Sequence, residues 1–172
     1  MENLLKIKIE LFSSENHKVE NFSCGYESLD KYIKSYVEIN ANRGLGRTFV
    51  AVEENNKEIK GYYTLTATEI VKEKLPKKQT RGLPNYPIPA ILLARLAIDK
   101  TAQGKKLGEY LLFNAFSRVL SASYDFGIRI IIVDAIDEQA KNFYLKYGFT
   151  AFDDNPLKLF LPLKTVEPLI II

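Results

Sequence analysis

From Leu5 to Leu11, apolar side chains alternate with Lys6, Lys8 and Glu10, a period of two that predicts a half-buried strand. The period then lengthens. Tyr26, Leu29, Tyr32, Ile33, Tyr36 and Val37 recur at steps of three and four, the spacing of one helix face, and the pattern runs out near Asn42 and Gly44-Leu45-Gly46. Arg47 to Glu53 and Ile59 to Ala67 read as antiparallel strands joined by a turn at Asn55-Asn56. Prolines 76, 84, 87 and 89 make Leu75 to Pro89 a loop.

The second half has a different rhythm. Ile91 to Ile98 is an apolar run broken by Arg95, as in a central strand covered on both faces. The turn Gln103-Gly104-Lys105-Lys106-Leu107-Gly108 leads into a long helix reaching about Phe126, with Leu107, Leu111, Leu112, Ala115, Val119 and Ala122 as its buried stripe and Gly127 as its stop. Ile128 to Ala135 is a β-branched strand. Asp137 caps a helix through Tyr147, and Gly148 supplies a left-handed stop. Two short strands, Phe149 to Phe152 and Leu157 to Leu161, flank a turn at 153–156. The series predicts an α/β (α+β) fold with a mixed central sheet and helices on both faces.

Composition narrows the class of protein. The chain has 172 residues, enough for a single domain, and 47% apolar residues can bury a real core. With 26% charged residues and a net charge of +3, disorder is excluded. One cysteine, Cys24, and one histidine, His17, rule out a disulfide framework and a multi-ligand Cys/His metal site; no metal is expected. His17, on an early loop, reads as a surface residue. Lone cysteine usage points to a reducing compartment, and an acid ahead of any apolar run at Met1-Glu2-Asn3 does not read as a signal peptide. No apolar run reaches the roughly 18 to 20 residues of a membrane span, so the expectation is a cytoplasmic protein with no membrane partner.

Charge is uneven. Lys72, Lys74, Lys77, Lys78 and Arg81 face one acid, Glu73, within a single loop, which suits contact with a polyanion or, equally, a solvated loop kept soluble by its lysines.

The chemically informative stretch is the strand, turn and helix around Gln103 to Gly108. A helix start leaves backbone N–H groups without partners and carries partial positive charge, so it is a ready phosphate site, with Lys105 and Lys106 adding formal charge. An ordinary helix start fits the turn taken alone. The Gly-Lys-Ser/Thr of a Walker A loop and the three-glycine spacing of a dinucleotide fingerprint are both missing.

Three segments together, Leu96-Ala97-Ile98-Asp99, Gln103 to Gly108, and Asn142-Phe143-Tyr144-Leu145-Lys146-Tyr147-Gly148-Phe149, resemble the GNAT superfamily of acyl-CoA-dependent N-acetyltransferases. The resemblance spans about Arg47 to Leu163. It implies a mostly antiparallel sheet and divides one domain, 1–172, into an N-terminal strand and helix (1–46), a cofactor-binding core (47–163) and an apolar tail (164–172). Acetyl-CoA is the implied donor, its diphosphate held by Gln103, Gly104, Lys105, Lys106, Leu107 and Gly108. Lys106 stands where the family's loop has its middle glycine. A narrower resemblance lies in Asn21-Phe22-Ser23-Cys24-Gly25 before a helix with Leu29-Asp30, in Gly46-Arg47-Thr48-Phe49-Val50 and in Pro89 to Ala97, which look like the acetyltransferase toxins of toxin–antitoxin pairs. Those enzymes acetylate the α-amino group of aminoacyl-tRNA and stop translation, and a ribbon-helix-helix antitoxin neutralises them.

The resemblance assigns roles to particular residues. Tyr144 is the implied general acid for the departing thiolate, against the plainer reading of a core tyrosine. Tyr147 is a competitor for that role. Asn142 is expected on the pantetheine arm, and the arm pairs with the backbone of Leu96, Ala97 and Ile98 as a peptide adds to a sheet edge. An α-amino group has a pKa near 7.7 to 8.0 and an aminoacyl ester lower again, so little base catalysis is needed; no base is evident in the central strand, which favours an α-amino over a lysine acceptor unless Glu69 or Asp134 faces the site. Lys31, Lys34, Arg43, Arg47, Lys77, Lys78 and Arg81 form the candidate tRNA surface. Arg95 either has a carboxylate partner or meets tRNA phosphate. Tyr62, Tyr63 and Tyr86 stack bases or, as core packing would have it, do not. The tail Leu169 to Ile172 is expected to dock on the body, a twin subunit or the antitoxin, and a homodimer is expected. The alternatives are a general acetyltransferase for small-molecule or protein amines and a non-catalytic binding module of the same fold.

Overall fold

The computed structural model describes residues 6–170. Leu5 of the first predicted strand and Ile171-Ile172 of the tail lie outside the described residues.

The strands are β1 (Ile7–Leu11), β2 (Arg47–Glu53), β3 (Ile59–Ile70), β4 (Ile88–Ile98), β5 (Ile130–Asp134), β6 (Thr150–Phe152) and β7 (Asn155–Pro162). They hydrogen-bond in the order β1-β2-β3-β4-β5-β7-β6. β4 runs parallel to β5, whereas β1–β2, β2–β3, β5–β7 and β6–β7 are antiparallel. The helices are α1 (Glu27–Ser35), α2 (Val37–Asn42), α3 (Lys77–Thr80), α4 (Leu107–Ala122), α5 (Glu138–Lys146) and α6 (Leu163–Ile170). The chain groups into two compact units, residues 1–66 with 95–115, and residues 67–94 with 116–172.

In the first unit, successive residues of β3 point to opposite faces, and each face is covered by helix. Tyr62 points to the α1–α2 side. Its ring stacks on Tyr32 at 6.2 Å, its hydroxyl donates to the Leu29 carbonyl at 2.8 Å, and around it Phe22, Ile33, Val37, Val50 and Ala97 form a buried cluster. Tyr63 points to the α4 side, stacked on Phe49 at 5.2 Å with its hydroxyl donating to Asn114 Oδ1 at 2.6 Å. Both tyrosines are fully buried, so they pack the core and are unavailable for base stacking; Tyr86 alone of the three is exposed.

The single helix expected from Tyr26 onward is two. Tyr36, at φ −118° and ψ −17°, separates α1 from α2 and is exposed, while Val37 is buried. His17 is not a surface residue. Its Nδ1 accepts from the Ser13 amide at 2.9 Å and its Nε2 lies 2.7 Å from Glu10, and these two partners are what allow an imidazole to be buried there.

The second unit is built on β4, β5 and β7, with Ile70, Leu75, Ile88, Ala90, Ile130, Ile132, Phe152 and Phe160 as a buried cluster. The proline-rich stretch is less bare than expected. Pro76, with its fixed φ, starts the one-turn helix α3, and β4 already begins at Ile88. α4 ends at Ala122 rather than near Phe126, with the Ser123 hydroxyl donating to the Leu120 carbonyl at 2.6 Å. The described part of the apolar tail lies in the helix α6, docked through buried Leu163 and Val166, while Leu169 is exposed.

Candidate active site

The parallel pairing of β4 with β5 joins Ala90 to Leu93 with Ile130 to Val133, yet β4 continues to Ile98. In that register Ala94 to Ile98 have no β5 partner. Leu96, Ala97 and Ile98 thus lack a β5 bond, although the Ile98 carbonyl is taken by the Gln103 side chain and the Ala97 carbonyl lies against Gly61 of β3. Gly61 on β3 explains how tightly this stretch is held. A Cβ there would meet Leu111 Cδ1 at 2.8 Å, Ile98 Cδ1 at 3.0 Å and the Ala97 carbonyl at 3.1 Å.

Beyond Ile98 the chain enters the loop before α4. Asp99 is buried and accepts from the Thr101 amide at 2.9 Å, the Thr101 hydroxyl at 2.6 Å and the Ser23 amide at 3.0 Å. Burial alone would raise its pKa; the Thr101 and Ser23 hydrogen bonds outweigh that and hold the carboxyl below its ordinary value. The Gln103 side chain donates to the carbonyls of Cys24 and Ile98, both at 2.9 Å, and the Lys100 amide donates to the Ser23 carbonyl at 2.8 Å. Gln103 thus serves as a brace, its side chain spent inside the protein. Cys24 in turn donates its amide to Asp30 at 2.8 Å. Its thiol is pushed up to about 11, first by burial and then by Asp30, so it holds its proton at neutral pH and is no nucleophile.

On this braced base, Gly104 (φ 77°) and Lys106 (φ 63°) both take left-handed conformations, and Lys106 is the one such non-glycine among the described residues. The β-carbon of Lys106 costs about 1 kcal/mol there. Its carbonyl accepts the first helical bond, from Tyr110 at 3.1 Å. The amides just before and inside the first turn of α4 have no intrahelical acceptor and lie at the positive end of the helix dipole. A Cβ built on Gly104 would find nothing within 4 Å, and Lys105 and Lys106 are exposed. Open space, several amides and two ammonium groups match a diphosphate.

Tyr144 lies in the second unit, on α5, whose N-cap Asp137 accepts from the Ala140 amide at 2.9 Å and whose stop Gly148 has φ 95°. Its ring is buried against Phe143 at 5.3 Å and Phe149 at 5.4 Å. Its hydroxyl makes no hydrogen bond with a described residue, and the side chain as a whole is buried. Burial raises the phenol above its ordinary pKa. It is a proton holder throughout the neutral range, and a weaker acid than a free tyrosine. Tyr147 packs edge-on against Phe143 at 5.0 Å, and Asn142 is exposed on the same helix.

The basic candidates divide. In the first unit, Lys31 and Lys34 are exposed on α1, and Arg43 is exposed at the end of α2. Arg47 is also exposed, but it donates to the carbonyls of Ala41 at 2.7 Å and Gly46 at 3.3 Å and so closes the end of α2. Lys77, Lys78 and Arg81 are exposed in the second unit, on and after α3. Arg95 has no carboxylate partner among the described residues. Its guanidinium lies 3.6 Å over the Tyr32 ring. Glu69 and Asp134 are exposed. Asp99 figures in the sequence only as part of a motif and Tyr32 only on a helix face; the bonds of Asp99 and Asp30 to the Ser23-Cys24 segment and the ring of Tyr32 beneath Arg95 have no sequence signal.

A strand end without a β5 partner leads through left-handed turns to a helix start, an arrangement suited to a diphosphate-bearing ligand. The chain belongs to the acetyltransferase (GNAT) domain family, whose model matches residues 44–151. A tRNA-acetylating toxin of Mycobacterium tuberculosis is 34% identical over 157 residues, 91% of this chain and 93% of that protein. AtaT complexed with acetyl-methionyl-tRNAfMet is 30% identical with a TM-score of 0.88, over 95% of this chain and 98% of that one. A tyrosine-to-phenylalanine variant of the AtaT toxin, bound to the C-terminus of the antitoxin AtaR and acetyl-CoA, is 28% identical with a TM-score of 0.82, over 95% and 97%. Among the described residues no group of three or more His, Cys, Asp or Glu is placed to hold a metal, and no helix is long and apolar enough to cross a membrane.

Proposed function

We propose that this chain is a cytoplasmic toxin that transfers the acetyl group of acetyl-CoA to the α-amino group of an aminoacyl-tRNA and so blocks translation. The observation that carries the reading is the Leu96–Gly108 stretch, where a strand end without a β5 partner passes into a braced, left-handed loop at the start of α4. Leu96, Ala97 and Ile98 take the pantetheine arm, with Asn142 as a further hydrogen-bonding partner. The amides of Gly104 to Gly108 take the diphosphate, with Lys105 and Lys106 beside them. As the amine nitrogen bonds to the acetyl carbon and the C–S bond breaks, Tyr144 gives its proton to the departing thiolate, and the proton shed by the amine passes through solvent to restore the phenol. Since the buried phenol is the weaker acid, the transfer runs favourably only where the thiolate is desolvated as well.

The acceptor amine needs no strong base, because an aminoacyl ester is largely neutral at physiological pH. Lys31, Lys34, Arg43, Arg47, Lys77, Lys78 and Arg81 give salt-dependent affinity for tRNA. A ribbon-helix-helix antitoxin is the neutralising partner, and the toxin works as a homodimer.

The test incubates the protein with labelled acetyl-CoA and total charged tRNA. Label appears on tRNA and is lost on mild alkaline release of the aminoacyl group. Tyr144→Phe lowers kcat by about 10²–10⁴-fold while leaving acetyl-CoA affinity intact. Transfer at wild-type rate by that variant removes Tyr144 from the role, and free amines acetylated as fast as charged tRNA remove the toxin reading.

A further inference from the structure

Tyr110 stands one helical turn on from Lys106, whose carbonyl accepts its amide at 3.1 Å. It is the one exposed aromatic residue among residues 95–115, with 49% of its surface open. Its ring and hydroxyl make no hydrogen bond, ring contact or cation contact with a described residue. The opposite face of α4, with Leu107, Leu111 and Leu112, is buried, and Leu111 Cδ1 reaches to 2.8 Å from where a Cβ on Gly61 of β3 would lie, so that face looks onto the sheet. Tyr110 is on the solvent side. A helical Cα–Cβ bond tilts toward the helix N-terminus, which leans the ring back over the first turn of α4, toward the loop at 104–106. A flat π-face left without a partner beside that loop is a platform for a second flat ring.

We propose that Tyr110 is the stacking platform for the adenine of acetyl-CoA. The inference rests on the proposed function, from which it takes the diphosphate seated on the amides of Gly104 to Gly108. Two arms leave that diphosphate. The pantetheine arm turns inward to β4, on the buried side of α4. The other arm is a nucleoside, whose base hangs from the diphosphate by a single ribose and leaves on the solvent side, where the Tyr110 ring lies. Every purine offers the π-face that such a ring stacks on.

The experiment measures by calorimetry the binding of acetyl-CoA and of S-acetyl-4′-phosphopantetheine, the same donor cut short of its nucleoside, to wild type, Tyr110→Ala and Tyr110→Phe. Tyr110→Ala weakens acetyl-CoA roughly five- to a hundredfold and leaves the shortened donor at its wild-type affinity. Tyr110→Phe keeps a ring at 110 and binds both donors as wild type does. Alanine is the strongest helix former and the position is exposed, so the fold survives the substitution, and binding of the shortened donor checks that it has. Equal weakening of both donors, an unchanged acetyl-CoA affinity in Tyr110→Ala, or a loss in Tyr110→Phe as large as in Tyr110→Ala overturns the inference. So does a loss confined to titration with uncharged tRNA, which would assign the ring to the nucleic acid. Wild-type protein that binds neither donor overturns the proposed function together with the inference. Donor binding without transfer to charged tRNA counts against the proposed function alone, and the calorimetry still decides the role of Tyr110.

Discussion

Replacing Gly61 by alanine tests how the donor strand is seated. The new methyl would lie 2.8 Å from Leu111 Cδ1, 3.0 Å from Ile98 Cδ1 and 3.1 Å from the Ala97 carbonyl. Leu111 has no exposed surface, so its methyl has nowhere to retreat, and the carbonyl belongs to the backbone of β4. Overpacking of this kind costs about 1–3 kcal/mol. Against it stands a gain of about 0.5–1 kcal/mol from a stiffer unfolded chain. The net loss is at most about 2.5 kcal/mol, which in a protein of this size lowers Tm by up to roughly 10 °C. Because the methyl presses on Ala97, acetyl-CoA affinity falls along with stability. Thermal melts and calorimetry of Gly61→Ala read both effects. A variant that melts at or above the wild-type temperature and binds acetyl-CoA normally would refute the close-packed seating of α4 and β4 against Gly61.

Asp99→Asn removes a carboxylate that accepts three hydrogen bonds, and costs about 1.5–3 kcal/mol at neutral pH. The folded-state pKa of Asp99 is depressed, so its contribution is present above the unfolded value near 3.9 and is lost as pH falls through the folded one. Melts taken from pH 7 down to pH 3 should therefore show the variant losing less stability on acidification than wild type, and parallel curves would contradict the assigned bonds. Lys106→Gly relieves a left-handed β-carbon and raises Tm slightly, by less than about 1 kcal/mol of stability. Its acetyl-CoA affinity stays within a few-fold of wild type if the amides carry the diphosphate, and a loss beyond tenfold would assign that work to the ammonium.

Much of this was legible in the chain because it is local. The β2–β3 hairpin follows from alternation, the N-cap from Asp137 ahead of an apolar-periodic run, and the stop of α5 from Gly148, with φ 95°. The left-handed Lys106 follows from its place in a glycine loop. What stayed hidden depends on residues distant in sequence. Arg95 meets Tyr32 only once β4 and α1 pack on one another, and nothing in the apolar run around Arg95 names an aromatic ring as its partner. His17 is buried because Glu10 and Ser13 happen to supply both ring nitrogens with partners. The helix period from Tyr26 to Val37 is continuous, yet α1 ends at Ser35 and a second helix starts at Val37, a break the periodicity does not carry.

The brace between the Ser23-Cys24 segment and the donor loop is lopsided in what it asks of each side. At Ser23 and Cys24 every bond in it runs through main-chain N–H or C=O, which any residue but proline at the donating positions provides. On the facing side it runs through the carboxylates of Asp30 and Asp99 and the amide of Gln103, besides one main-chain bond from Lys100. As far as this brace is concerned, random substitution can wander over the hydroxyl at 23, whereas the acceptors and donor at 30, 99 and 103 have few substitutes. Descendants of this chain should therefore keep those three side chains longer than the serine they help to hold.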